Sequence, residues 1–143
     1  MSAEENKAIT RRINEEVWTN GNLDVIEDVI ADDYVHTIVG VPEPIRGPRG
    51  FSELVTMYRN AFPDFHVTTE EQFADGDVVV TRWTATGTHQ GDLMGMGATG
   101  KKATAPGIAI DRFAGGKLVA AWVIFDQLGF LQQLGAVPTP ADG

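Results

Sequence analysis

The hydrophobic period of this chain changes once, near Asp64, and that change constrains its fold more than any other feature. Before Asp64, apolar residues recur at helical spacing; after it they follow the two-residue period of strands. A capping box of Ser2 and Glu5 precedes Ile9, Ile13 and Val17, which predicts a first helix ended by Gly21. Asn22 can cap a second, short helix carrying Leu23, Ile26, Val29 and Ile30. Residues 34–39 form a short strand rich in β-formers, and residues 41–50, with three prolines and two glycines, form a loop. Pro48 opens a third helix with Phe51, Leu54, Val55, Tyr58 and Phe62 on one face, and Pro63 stops it.

The second half predicts strands at 65–73 and 78–89, joined by the turn 74–77, then at 102–113 and 118–126, joined by the Gly-bearing turn 114–117. A short helix over 128–134 closes the chain before a Pro-rich tail. Helices first and long antiparallel strands second is the pattern of an α+β fold. No internal repeat or linker interrupts it, and 143 residues fit one domain, 1–143, with an ordered core of about 3–137.

Composition excludes several functions. A formal net charge of −9, with the 11 Lys and Arg scattered, argues against a nucleic-acid partner. No apolar run has the length of a membrane helix, and the polar, acidic start is no secretory signal. Zero cysteines exclude disulfides and thiolate chemistry and fit a cytoplasmic protein. The three histidines, His36, His66 and His89, stand at no metal-binding spacing, and no acid completes a compact set, so no metal is expected. His66, at a strand start, is assigned to the surface.

Chemistry is suggested first by the segment 122–135. It starts as an apolar strand carrying one carboxylate, and Trp122, Ile124 and Asp126 share a parity and hence a sheet face. An acid on a buried face must be hydrogen-bonded or useful. Asp126 also suits the N-cap of the final helix, and the two roles stay open together.

This segment, the run Gly87-Thr88-His89-Gln90-Gly91 with Thr99-Gly100-Lys101 after it, and the stretch 112–117 resemble the SnoaL-like polyketide cyclases of the NTF2-like group. The resemblance spans the first helix to Gly135. It implies a cone: three N-terminal helices packed on a strongly curved, mostly antiparallel sheet that encloses an apolar pocket. It also implies a cofactor-free enzyme, often a homo-oligomer, acting on a small apolar carbonyl compound. Asp126 would be the acid/base for proton abstraction and intramolecular aldol closure, with His89 and His36 as polarising or positioning groups. Trp83, Trp122 and the loop bearing Met94 would form the walls. The chain departs from the family in carrying Ile124, Ile110 and Arg112 where well-known members carry histidines near the acid. Arg112, if turned inward, would pair with Asp126 and lower its pKa.

Two other readings remain. Epoxide hydrolases of the limonene type share this fold and use two carboxylates, for which Asp92 and Asp126 are candidates. A non-catalytic binder of apolar metabolites would use the same pocket. The Gly95–Gly100 stretch satisfies a dinucleotide-binding pattern, but Lys101-Lys102-Ala103-Thr104-Ala105-Pro106 follows where a helix must start, so no nucleotide is expected.

Overall fold

A computed structural model describes residues 2–138. The Pro-rich tail from 139 onward lies outside the described residues. The order is α1 (Ala3–Arg12), continued by a π-helical segment (Ile13–Thr19), then α2 (Asp24–Val29), β1 (Ile30–Ile38), β2 (Ile45–Arg46), α3 (Gly47–Ala61), β3 (His66–Asp75), β4 (Val78–Thr88), β5 (Lys102–Ala114), β6 (Lys117–Phe125) and α4 (Gln127–Gln133). The six strands form one sheet in the order β2-β1-β6-β5-β4-β3. All neighbours are antiparallel except β1 and β6. Register irregularities in β1, β3 and β6 add local bending to the ordinary twist, and the helices pack against the curved sheet.

Local chemistry explains the elements. The capping box forms: the Glu5 amide donates to Ser2 Oγ at 3.1 Å, and the Ser2 amide donates back to Glu5 Oε1 at 3.3 Å. Carbonyls at a helix end lack intrahelical partners. Here the Arg59 guanidinium supplies them, donating to Trp18 O at 2.8 Å and Thr19 O at 2.7 Å, and also to Phe65 O and Pro63 O. One α3 side chain thus ties the end of the first helix to the start of the sheet. Val17, Val55 and Val79 lie fully buried where helices meet strands, joined by Ile26, Tyr34 and Phe51. Full burial of such apolar side chains is worth about 1.5–3 kcal/mol each.

Three helices precede the long strands, and the closing helix brings the number to four, running Gln127–Gln133. The π-helical winding of the continuation of α1, whose Ile13 and Val17 keep the helical spacing, and the two-residue β2 were not expected. Strand β1 begins four residues before position 34, since the chain leaves α2 directly into the sheet.

Candidate active site

Between helices and sheet lies a cavity of about 130 Å³. Its walls are apolar and aromatic: Trp18 from the π-helical segment, Phe51 and Tyr58 from α3, Phe62 just past its end, Trp83 from β4 and Phe125 from β6. The inner face of β5 contributes Ala103, Ala105 and Ala109, so small side chains leave the space that large ones frame. Gly107 belongs to the same row, and a Cβ there would run into the Trp83 indole.

A few polar groups interrupt this lining. Asp111 is 5% exposed on β5, and one carboxylate oxygen accepts a long hydrogen bond, 3.4 Å, from the Thr10 hydroxyl. Burial pushes its pKa up to about 7, against the weaker lowering effect of Thr10. On β1, Tyr34 Oη and His36 Nδ1 lie 2.6 Å apart, both side chains buried. Burial lowers the His36 pKa to about 4, so the ring is neutral at physiological pH. Burial, with the charge of Asp111, raises the Tyr34 phenol well above its ordinary value. Asn14, Thr81 and Thr86 complete the set; Asn14 donates to Thr69, and Thr81 accepts from Gln72.

Of the residues anticipated from sequence, the structure brings His36 and Trp83 into this cavity. The others stand elsewhere. Trp122, Ile124 and Asp126 do share a face, but it is the outer one: Trp122 is 44% and Ile124 41% exposed, while Ala121 and Val123 point inward. The placement of Asp126 beside an aromatic pocket wall is therefore corrected. It is exposed and caps α4, accepting from the Gly129 amide at 2.9 Å. Arg112 follows the same outward parity and is exposed. Asp92 is an exposed loop acid that accepts from the Gly95 amide at 3.1 Å. Neither Asp92 nor Asp126 lines the cavity, so the two do not form a pair of acids within it.

His89 is fully buried but sits behind the wall, its ring 5.4 Å from that of Phe62. Its Nδ1 accepts from the Thr99 amide at 3.3 Å and lies 3.0 Å from the Thr99 hydroxyl. The run 87–91 thereby becomes a clasp on the end of α3. A Cβ at Gly87 would meet Phe62, one at Gly91 would meet the Asn60 carbonyl, and the amides of Gln90 and Gly91 both donate to Ala61 O. Met94, expected at the pocket mouth, is 72% exposed and outside the cavity lining. Leu93 and Met96 of that loop pack instead against the cluster of Ala61, Phe62 and Leu134.

The comparisons bear on this arrangement. The family model of SnoaL-like polyketide cyclases matches residues 8–134, nearly the whole described chain. The protein belongs to this family. Aklanonic acid methyl ester cyclase DnrD of Streptomyces peucetius is 32% identical over 129 residues, covering 87% of this chain and 88% of that protein. Among solved structures, IdmH of Streptomyces antibioticus superposes with a TM-score of 0.80 at 28% identity, covering 91% of this chain and 98% of that one. TsrD of Streptomyces laurentii reaches 0.86 at 22% identity, covering 96% and 99%, and shows the shared fold. The relatives support cyclase activity for this member of the SnoaL-like family. Its α+β cone is NTF2-like.

Proposed function

We propose that this protein is a cofactor-free cyclase that closes a ring by intramolecular aldol addition, with Asp111 as the acid/base. One observation carries the reading: a carboxylate buried in an apolar cavity, held by a single long hydrogen bond, with its pKa moved to the neutral range. Such a group can both take a proton and return it near pH 7.

The steps balance without a co-reactant. Ionised Asp111 takes the proton from a carbon between two carbonyls; the C–H bond breaks and its electron pair delocalises as an enolate. That carbon attacks a second carbonyl of the same molecule, a C–C bond forms, and the new alkoxide recovers the proton from Asp111. The substrate's own carbonyls stabilise the charge, so the protein's main task is orientation in a water-poor cavity.

The lining favours a neutral, largely apolar carbonyl compound. Among the described residues it includes no Lys or Arg, and ionised Asp111 repels a free carboxylate. The DnrD relative acts, by its name, on a methyl ester, and a related ester is the substrate class proposed here.

The test uses aklanonic acid methyl ester beside free aklanonic acid. The ester is expected to be cyclised and the acid left unchanged. Asp111→Asn should lower turnover by about 10²–10⁴, and kcat/KM of the parent should rise with pH to a plateau above about 7. Tight ester binding without product would favour the binder reading. Undiminished turnover in Asp111→Asn would remove this residue from the mechanism.

A further inference from the structure

Deprotonation beside a carbonyl places charge on oxygen as well as carbon, and an apolar cavity must answer that charge with a hydrogen-bond donor. The lining offers several donors. Thr10 is engaged with Asp111 and with Asn6 O, and one Asn14 amide hydrogen goes to Thr69. The Thr81, Thr86 and Tyr58 hydroxyls and the Trp18 and Trp83 indoles also line the cavity. Tyr34 stands apart from them on two counts: its Oη lies 2.6 Å from His36 Nδ1, on adjacent inward positions of β1, and the charge of Asp111 reaches it.

We infer that Tyr34, held and polarised by His36, is the donor that receives the enolate oxygen formed when Asp111 takes the substrate proton. The assignment rests on the role proposed for Asp111. With the ring hydrogen on Nδ1, His36 donates to Tyr34 Oη, and the phenol hydrogen is then free to point into the cavity. A donor that itself accepts a hydrogen bond is a stronger donor, since each bond polarises the next. The dyad is also fixed in place: Phe51 packs edge-on to Tyr34 at 5.8 Å and against His36 at 5.6 Å.

The surroundings set its state. A phenol with a raised pKa keeps its proton and so donates rather than acts as a base, and a histidine with a lowered pKa stays neutral and brings no competing charge. Asp111 is near enough for its charge to act on Tyr34. Base and donor can therefore serve the two ends of one enolisable carbonyl unit. When Asp111 becomes protonated its repulsion of negative charge ends, at the moment the enolate oxygen forms.

Phenols imitate this intermediate, because a phenolate is a planar, stable relative of an enolate. The experiment titrates p-nitrophenol and substituted naphthols of graded acidity into Asp111→Asn, whose neutral amide stands in for the protonated acid. The expected result is binding with the phenolate absorption band, tightening as the phenol becomes more acidic. Adding Tyr34→Phe should weaken binding about 10–100-fold, the usual worth of a hydrogen bond to a charged group. Adding His36→Gln should weaken it less and shift the bound spectrum toward the neutral phenol. In the parent protein, Tyr34→Phe should lower kcat with KM little changed.

Cooperative thermal melting checks that each variant is folded, and the His36→Gln arm stands if Tyr34→Phe does not fold. Equal phenolate binding with and without Tyr34, no effect of His36→Gln, or no phenol binding at all would overturn the inference. The base reading fails separately, through undiminished ester turnover in Asp111→Asn.

Discussion

A carboxylate walled in by alanines and aromatic rings resists ionisation, whereas one at an exposed helix N-terminus serves the helix as a cap. Asp111 and Asp126 divide along this line. Asp126 is hydrogen-bonded to the Gly129 amide in solvent, and Gly129 lies so close that a Cβ there would strike the carboxylate. Its role is a cap. Asp126→Asn is therefore expected to keep near-parent ester turnover and melting temperature, because Asn caps almost as well. Asp126→Ala should keep turnover and lose about 1 kcal/mol of stability. Chemical denaturation and steady-state rates on both variants check this, and a hundredfold rate loss in Asp126→Asn would restore it to the mechanism. Asp111 could have been noticed in the sequence, since it is the one carboxylate within β4, β5 and β6. Its neighbours concealed it. Ile108, Ile110, Trp122 and Ile124 make the outer face of these strands the more hydrophobic one, so parity alone pointed to the wrong side. A cavity inverts the usual rule: small residues mark the inner face because ligand space, not side chain, fills it.

At the scale of elements, the change of period near Asp64 located every helix and long strand to within a few residues. Periodicity could not show the π-helical segment, whose buried Ile13 and Val17 also suit an α-helix. Nor could it assign the run Gly87–Gly91, where glycines hold α3 against the sheet rather than shape a substrate site. Two glycine substitutions separate a clasp from a mobile loop. At Gly91 a methyl group meets the Asn60 carbonyl, which belongs to helix backbone and cannot move cheaply; at Gly97 nothing lies within 4 Å. Gly91→Ala is expected to cost about 1–3 kcal/mol, as overpacking does. Gly97→Ala should stay within about 0.5 kcal/mol of the parent. Urea denaturation measures both, and amide exchange of residues 89–101 should quicken in Gly91→Ala alone. Equal stabilities would show that the run does not fasten the end of α3.

For the whole molecule, the cavity couples folding to pH through two groups of opposite sign. Asp111 has a folded pKa of about 7, above its ordinary 3.8, so between these values the native state holds a proton that the unfolded chain has lost. Its contribution is full below about pH 4 and is lost as pH rises toward 7. His36 has a folded pKa of about 4, below its ordinary 6.5, so there the unfolded chain holds the extra proton. Its contribution grows as pH rises from about 4 to 6.5. Each full proton is worth about 1.4 kcal/mol per pH unit, and over about pH 4–6.5 the two slopes oppose. In that window both groups are neutral in the folded state, which suits the neutral ligand proposed for this cavity. Asp111→Asn should unmask the histidine, giving stability that rises from pH 4 to 6.5. His36→Gln should unmask the acid, giving stability that falls from pH 4 to 7. Glu5 and Asp64, whose pKa values are lowered by hydrogen bonds from Ser2 and Thr88, add a common loss on acidification to all three proteins. The difference between each variant and the parent is therefore the decisive quantity. Urea midpoints at half-unit pH steps supply it. Parallel curves for the three proteins would mean that neither group is held neutral by the cavity, and would remove the electrostatic basis for Asp111 as a base working near pH 7.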